Sequence, residues 1–183
     1  MSIISKIIDS INFFKKKNKE VSLQDDKKDF SILKKYIKNT KKIIISSKAL
    51  LENLKNIAVN LNKKNNAIDA LVIQIKKLKD IAREFENVFV SLNEAKSYFY
   101  ENRFVKEFKI LNKDYIVIEK IHLSLGSVKD DESLISKLLC IKKEKTIKRK
   151  KYILKNQINR LEDKLNNLNE IIARIEKIYL DEL

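Results

Sequence analysis

Residues recur at alternating intervals of three and four between Phe30 and Leu61, and most of them are apolar. The positions that share this spacing are Phe30, Leu33, Ile37, Thr40, Ile44, Ser47, Leu51, Leu54, Ala58 and Leu61. Such spacing, sustained over more than four heptads, is typical of a helix that packs along its length against another helix. The stretch therefore predicts a long helix with one buried face.

The chain has almost no residues that interrupt helices. It contains no proline and a single glycine in 183 residues, and 44% of its residues are hydrophobic. Few tight turns can form without these residues, so the chain should contain few elements, each of them long. We predict one all-α domain: a long antiparallel helical hairpin or coiled-coil bundle of about four helices, with left-handed crossings.

A change of register marks the end of the first helix. Continuing the first register would bring Asn65 and Lys79 into the core. The next apolar run instead reads Ile68, Leu71, Ile75, Leu78, Ala82, Phe85, Phe89 and Leu92. Because the change falls across 63–66, it predicts a helical hairpin with helices over about 26–62 and 67–101.

Two further signals divide the second half of the chain. At 101–103 the register slips again, which predicts either a kink or a short turn before a third helix. Gly126 is predicted to follow the end of that helix, and Asp130 and Asp131 to cap the next one. This last helix is predicted to run unbroken to Tyr179.

Residues 1–17 are predicted to form a separate amphipathic helix, 18–28 a linker, and 29–183 the bundle. Between residues 3 and 14 the apolar side chains share one arc of a helix, and three lysines follow. An apolar face with a basic flank is the pattern of a helix that lies at a membrane surface; docking on the bundle is the alternative. The candidate membrane contacts are Ile3, Ile4, Ile7, Ile8, Ile11, Phe14, Lys15, Lys16 and Lys17.

The order of an amphipathic start, a linker and a long basic bundle resembles the plan of BAR-type and PspA-type membrane-shaping proteins. The resemblance lies in this layout and in the apolar face of residues 3–14 alone. It implies an expectation of binding at a membrane surface.

The net charge of +15 is concentrated in 142–160, which carries nine basic residues and one acid, Glu144. The core positions there would be Glu144, Ile147 and Lys151, so we expect this stretch to extend past the bundle or to be loosely covered. It could bind phosphates of lipid headgroups or of nucleic acid. The alternative is a solvated helix that only keeps the protein soluble. Arginine, the side chain that most often recognises guanine bases, is scarce, which argues against sequence-specific binding of nucleic acid. The candidate anion contacts are Lys142, Lys143, Lys145, Lys148, Arg149, Lys150, Lys151, Lys155 and Arg160.

Residues suited to catalysis are few. Glu119 and His122 match the Glu-x-x-His element of di-iron bundles, but such sites need a second copy, and the chain has one histidine. Cys140 lies in phase with Ile147 and Leu154, which predicts a buried thiol. One glycine cannot form a phosphate-binding loop. We therefore predict no enzymatic activity, no cofactor, no metal and no small-molecule substrate.

Three functions remain open on these grounds. The first is a non-enzymatic scaffold or adaptor that acts through coiled-coil partners, as a homodimer or with another helical protein, and that can bind an anionic membrane. The second is a nonspecific nucleic-acid-binding accessory protein, and the third an export chaperone or assembly adaptor. A single cysteine, no apolar run near 20 residues and no signal peptide predict a cytoplasmic protein, peripheral to the inner membrane face if it binds lipid.

Overall fold

The computed structural model describes residues 31–61, 66–126 and 132–180, and every regular element in these ranges is helical. The all-α prediction is confirmed. The predicted amphipathic helix at 1–17 and the linker at 18–28 lie outside the described residues. The five α-helices in the described ranges are α1 (Ser31–Asn60), α2 (Ala67–Glu101), α3 (Val105–Leu125), α4 (Leu134–Cys140) and α5 (Ile147–Leu180).

Helix α1 is buried along two stripes rather than one. Most positions of the predicted seam are buried, and Leu33 and Leu54 are almost completely so. A second stripe at intervals of seven residues is equally buried. Its members are Tyr36, Ile43, Leu50 and Ile57. Because the two stripes lie side by side on the helix, α1 packs against both α2 and α5.

Ion pairs define the direction of α2 relative to α1. The Nζ of Lys35 lies 2.6 Å from Glu94, and the Nζ of Lys42 lies 3.0 Å from Glu84. Residue numbers therefore rise along α1 as they fall along α2, and the two helices run in opposite directions. These pairs are largely exposed, so each contributes less than about 1 kcal/mol to stability. The buried apolar stripes supply most of the stabilisation.

Helix α3 turns back along α2, and aromatic rings join the two. His122 stacks on Phe85 with 5.8 Å between ring centroids, and Tyr100 lies 5.2 Å from Phe108. Between the helices Arg103 has a positive φ of 60°. The predicted break at 101–103 is therefore a turn and not a kink.

Gly126 ends α3 with a φ of +48°. A Cβ at this position would lie 2.8 Å from the carbonyl oxygen of Leu123, so a side chain cannot be accommodated without a shift in the backbone. The next helix is capped by Ser133, whose Oγ accepts a hydrogen bond from the Ser136 amide at 3.1 Å. The predicted cap at Asp130 or Asp131 is wrong; those two residues lie outside the described ranges.

The predicted unbroken last helix is also wrong. Helix α4 ends at Cys140, a 3₁₀ turn covers Ile141–Lys143, and Glu144 is extended with a ψ of 134°. The short helix packs against α2, α3 and α5, and Leu134, Leu138 and Ile141 are fully buried. Cys140 is exposed. The prediction of a buried thiol failed because it assumed one continuous helical phase from residue 140 to residue 154.

A polar group lies within the core where α1, α3 and α5 meet. Asp114 and Tyr36 are each 0% exposed. Asp114 Oδ1 accepts a hydrogen bond from Nη2 of Arg174, a side chain that is about half exposed. Asp114 Oδ2 and the Tyr36 hydroxyl have no hydrogen-bond partner among the described residues. The hydrogen bond between Asp114 and Arg174 links α3 to α5.

Candidate anion-binding surface

Most of the basic stretch 142–160 lies in the first turns of α5. The register between α5 and α1 shows which part of this stretch α1 can cover. Lys41 forms an ion pair with Glu176, and Lys55 lies 2.8 Å from Glu162. At this antiparallel register the last residue of α1 lies level with Gln157. The first ten residues of α5 therefore extend beyond the end of α1, by about 15 Å at 1.5 Å per residue.

A break in the helix separates the basic residues on its two sides. In a continuous helix Lys142 and Lys145 would be stacked neighbours, and such like-charged pairs destabilise helices. Helix α5 begins after Thr146, whose Oγ1 accepts a hydrogen bond from the Arg149 amide at 3.3 Å. The prediction that 142–151 forms one helix is wrong. A threonine one position before the helical run is the signal that could have revealed this cap.

The first turns of α5 present one exposed basic face. Lys148, Tyr152 and Lys155 follow one another at intervals of four and three and are all exposed. The Arg149 guanidinium lies 5.4 Å from the centre of the Tyr152 ring. Thr146, Lys148, Arg149 and Tyr152 line a shallow cleft of about 350 Å³. Tyr152 was not among the predicted contacts, because the prediction counted charge alone.

Within the described part of the chain, the cations from residue 142 to residue 155 lack acidic partners. Several basic residues elsewhere on α1, α2, α4 and α5 form ion pairs in the structure, although not all of them do. Over the ranges that the structure describes, none of the eight basic residues of 142–155 does so. These residues are Lys142, Lys143, Lys145, Lys148, Arg149, Lys150, Lys151 and Lys155. Among the described residues, therefore, no paired acid offsets their positive potential.

The structure also reduces the set of nine predicted anion contacts. Arg160 donates hydrogen bonds to Gln157 Oε1 at 3.1 Å and to the Glu132 carbonyl at 3.0 Å, so it holds the start of α4. Lys150 and Lys151 are half-buried. Burial, with a smaller effect of Arg160, lowers the pKa of Lys164 one turn further on. From Leu154 onward α5 packs into the core, so the accessible basic surface is 142–152 with Lys155.

The remaining predicted residues do not join this surface. The nine candidate membrane contacts of 1–17 lie outside the described residues. His122 packs between Phe85 and Phe89, while Glu119 is exposed. Within 31–61, 66–126 and 132–180 no three His, Cys, Asp or Glu side chains are grouped in a way that could hold a metal ion.

Compared with protein-family models, with curated proteins and with solved structures, the chain matches none of them. Among the helices that the structure describes, none combines the length and the apolar character needed to cross a membrane.

Proposed function

We propose that the protein is a non-enzymatic helical scaffold that binds an anionic membrane surface through the basic start of α5. The observation that carries the proposal is the clustering of eight basic residues within 142–155, none of which forms an ion pair in the described ranges. Each basic residue near an anionic leaflet contributes about 1 kcal/mol of attraction. The six exposed cations at Lys142, Lys143, Lys145, Lys148, Arg149 and Lys155 would together give substantial, salt-dependent binding.

Co-sedimentation of the full-length protein with vesicles tests the proposal. Binding to vesicles containing phosphatidylserine should exceed binding to pure phosphatidylcholine and should weaken with salt. The variant K145Q/K148Q/R149Q should lose most of this binding, because it removes three exposed charges from the surface.

A matched control distinguishes the effect of this site on vesicle binding from the effect of net charge alone. Lys76, Lys77 and Lys79 on α2 are exposed and form no ion pair within the described ranges. The variant K76Q/K77Q/K79Q changes net charge by the same amount and should bind almost as well as the wild type. Equal losses in the two variants would contradict a site at the start of α5.

The N-terminal segment is tested in the same assay. If residues 3–14 insert into the membrane, I7D/I11D should abolish the fraction of binding that persists at high salt, because a charge in the apolar face opposes insertion. Unchanged high-salt binding would assign the vesicle interaction to α5 alone.

Nucleic acid is the second candidate, and Tyr152 is the observation that favours it. An exposed aromatic ring beside Arg149 could stack on an unpaired base, whereas a lipid headgroup offers no base to stack on. With a labelled single-stranded oligonucleotide, Y152A should weaken binding several-fold and leave vesicle binding unchanged. Equal effects on both ligands would remove the reason for considering nucleic acid.

A further inference from the structure

The outer face of α3 carries an exposed aliphatic stripe. Val105, Ile116 and Leu123 are 58%, 47% and 64% exposed. Their spacings of eleven and seven residues place them on one line along the helix, with the exposed Asn112 between Val105 and Ile116. The line is about 27 Å long at 1.5 Å per residue, or five helical turns.

A groove adjoins the N-terminal end of this stripe, at the elbow between α2 and α3. Its volume is about 600 Å³, within the range of pockets that hold a ligand group. Tyr100 is 68% exposed at this groove. The lining residues are Phe99, Tyr100, Glu101, Arg103, Val105, Phe108 and Lys109. Val105 belongs to both features, so stripe and groove form one continuous surface, here called the α3 face.

Arg103 contributes a backbone feature to the same groove. A φ of 60° is unfavourable for a residue with a side chain. Arg103 is the residue after the C-cap of α2, in a helix end closed by the hydrogen bond that the Phe104 amide donates to the Phe99 carbonyl at 2.9 Å. This helix end places an arginine at the wall of an apolar groove, and aromatic residues with arginine are the residue types enriched at the centre of protein interfaces.

The charges beside the stripe are predominantly positive. Lys106, Lys109, Lys113 and Lys120 follow one side of the stripe at helical spacing and are exposed. None of them forms an ion pair within the ranges that the structure describes. Glu119 is on the other side of the stripe. The α3 face is thus an apolar line bordered by a row of lysines.

We propose that the α3 face binds an amphipathic helix of another protein, with an apolar seam bordered by Asp or Glu. The charge on the face selects this occupant, because a row of lysines is complementary to acidic flanks. A second copy of this chain would bring the same row of lysines against the first and would be repelled. The groove at the elbow would receive a large apolar side chain near one end of the bound helix. This surface is separate from the basic start of α5 and does not depend on the proposed function.

Binding of defined peptides to the full-length protein tests the proposal. The probes are two labelled helical peptides of about 21 residues with the same leucine seam, one flanked by glutamates and the other by lysines. Fluorescence anisotropy should show that the acidic peptide binds at least about tenfold more tightly. I116S/L123S should weaken that binding by at least about tenfold, because it removes the apolar stripe. Equal affinities for the two peptides would overturn the proposal.

A charge reversal gives a second, independent readout. K109E/K113E/K120E should prefer the lysine-flanked peptide over the glutamate-flanked one, since the flank then carries the opposite sign. An unchanged preference for the acidic peptide would place its binding elsewhere on the protein.

Two controls distinguish this surface from other parts of the molecule. Ile45 and Ile73 are as exposed as the stripe but lie on α1 and α2, so I45S/I73S should bind like the wild type. K145Q/K148Q/R149Q should also keep its peptide affinity, whether or not it loses vesicle binding. Loss of peptide binding in either control, or a homodimer that dissociates on I116S/L123S substitution in light scattering, would overturn the proposal.

Discussion

Asp114 lies in the core with none of its side chain exposed, and only one of its carboxylate oxygens meets Arg174. Burial raises the pKa of this carboxyl above its ordinary value, and Arg174 offsets only part of the shift. Burial and the nearby Asp114 likewise raise the pKa of Tyr36. The folded protein therefore binds a proton at Asp114 more tightly than the unfolded chain does. The stability that Asp114 contributes is complete at pH values below its pKa in the unfolded chain. It is lost as the pH rises through its pKa in the folded protein.

The variant D114N tests this linkage, because asparagine removes the titration while keeping the shape. The free energy of unfolding of the wild type, relative to that of D114N, should increase as pH falls from about 7 to about 4.5. Urea denaturation of both proteins at several pH values measures the difference. A difference that shrinks on acidification would mean that pairing with Arg174 outweighs burial and that the carboxyl pKa is lowered.

Sequence periodicity could not have identified Asp114 as buried. Its neighbours on the buried face of α3 are Leu111 and Ile118, and a pattern of apolar residues does not count an aspartate between them as core. A buried charge is recognised only by what faces it, and Arg174 is 60 positions away. The same reasoning applies to the basic surface: its existence follows from composition, but its lack of ion pairs depends on where the acids of other helices lie.

Helix boundaries followed from sequence wherever a change of phase or a glycine marked them. The hairpin of α1 and α2 and the end of α3 at Gly126 were predicted for this reason. The break at 141–146 has neither glycine nor proline, so it was missed, and with it the exposure of Cys140. The second stripe on α1 was missed because one heptad pattern specifies one partner, whereas the number of neighbouring helices is a property of the assembled bundle.

Substitution of Leu54 tests the packing of α1. Leu54 is 0% exposed, and an unpaired aspartate there would cost more than about 4 kcal/mol, a large part of the 5 to 15 kcal/mol of a typical domain. L54D should therefore lose most of its helical circular dichroism or melt far below the wild type. Val59 on the same helix is 67% exposed, so V59D is the matched control and should melt close to the wild type.

At the scale of the whole molecule, the net charge of +15 opposes compaction. The attraction within the exposed ion pairs is weak compared with this repulsion. Salt screens repulsion between exposed charges over about 10 Å at 0.1 M. The melting temperature should therefore rise when NaCl is increased from about 0.02 to about 0.5 M. K145Q/K148Q/R149Q should show a smaller rise, because it relieves part of the same repulsion. A melting temperature that falls with salt would indicate that attractive pairs dominate.

The two-sided packing of α1 has a consequence for how the chain is made. Helix α5 covers one side of α1, and Lys55 on α1 meets Glu162 only 107 positions later. On a ribosome adding about 5 to 20 residues per second, the hairpin is complete at Glu101, roughly 4 to 16 seconds before α5 ends at Leu180. Throughout this interval the nascent chain displays the apolar side of α1 that α5 later covers. A chaperone that shields such surfaces would act on this chain while α5 is still being synthesised, and a transcript cut short before α5 would encode a protein prone to aggregate.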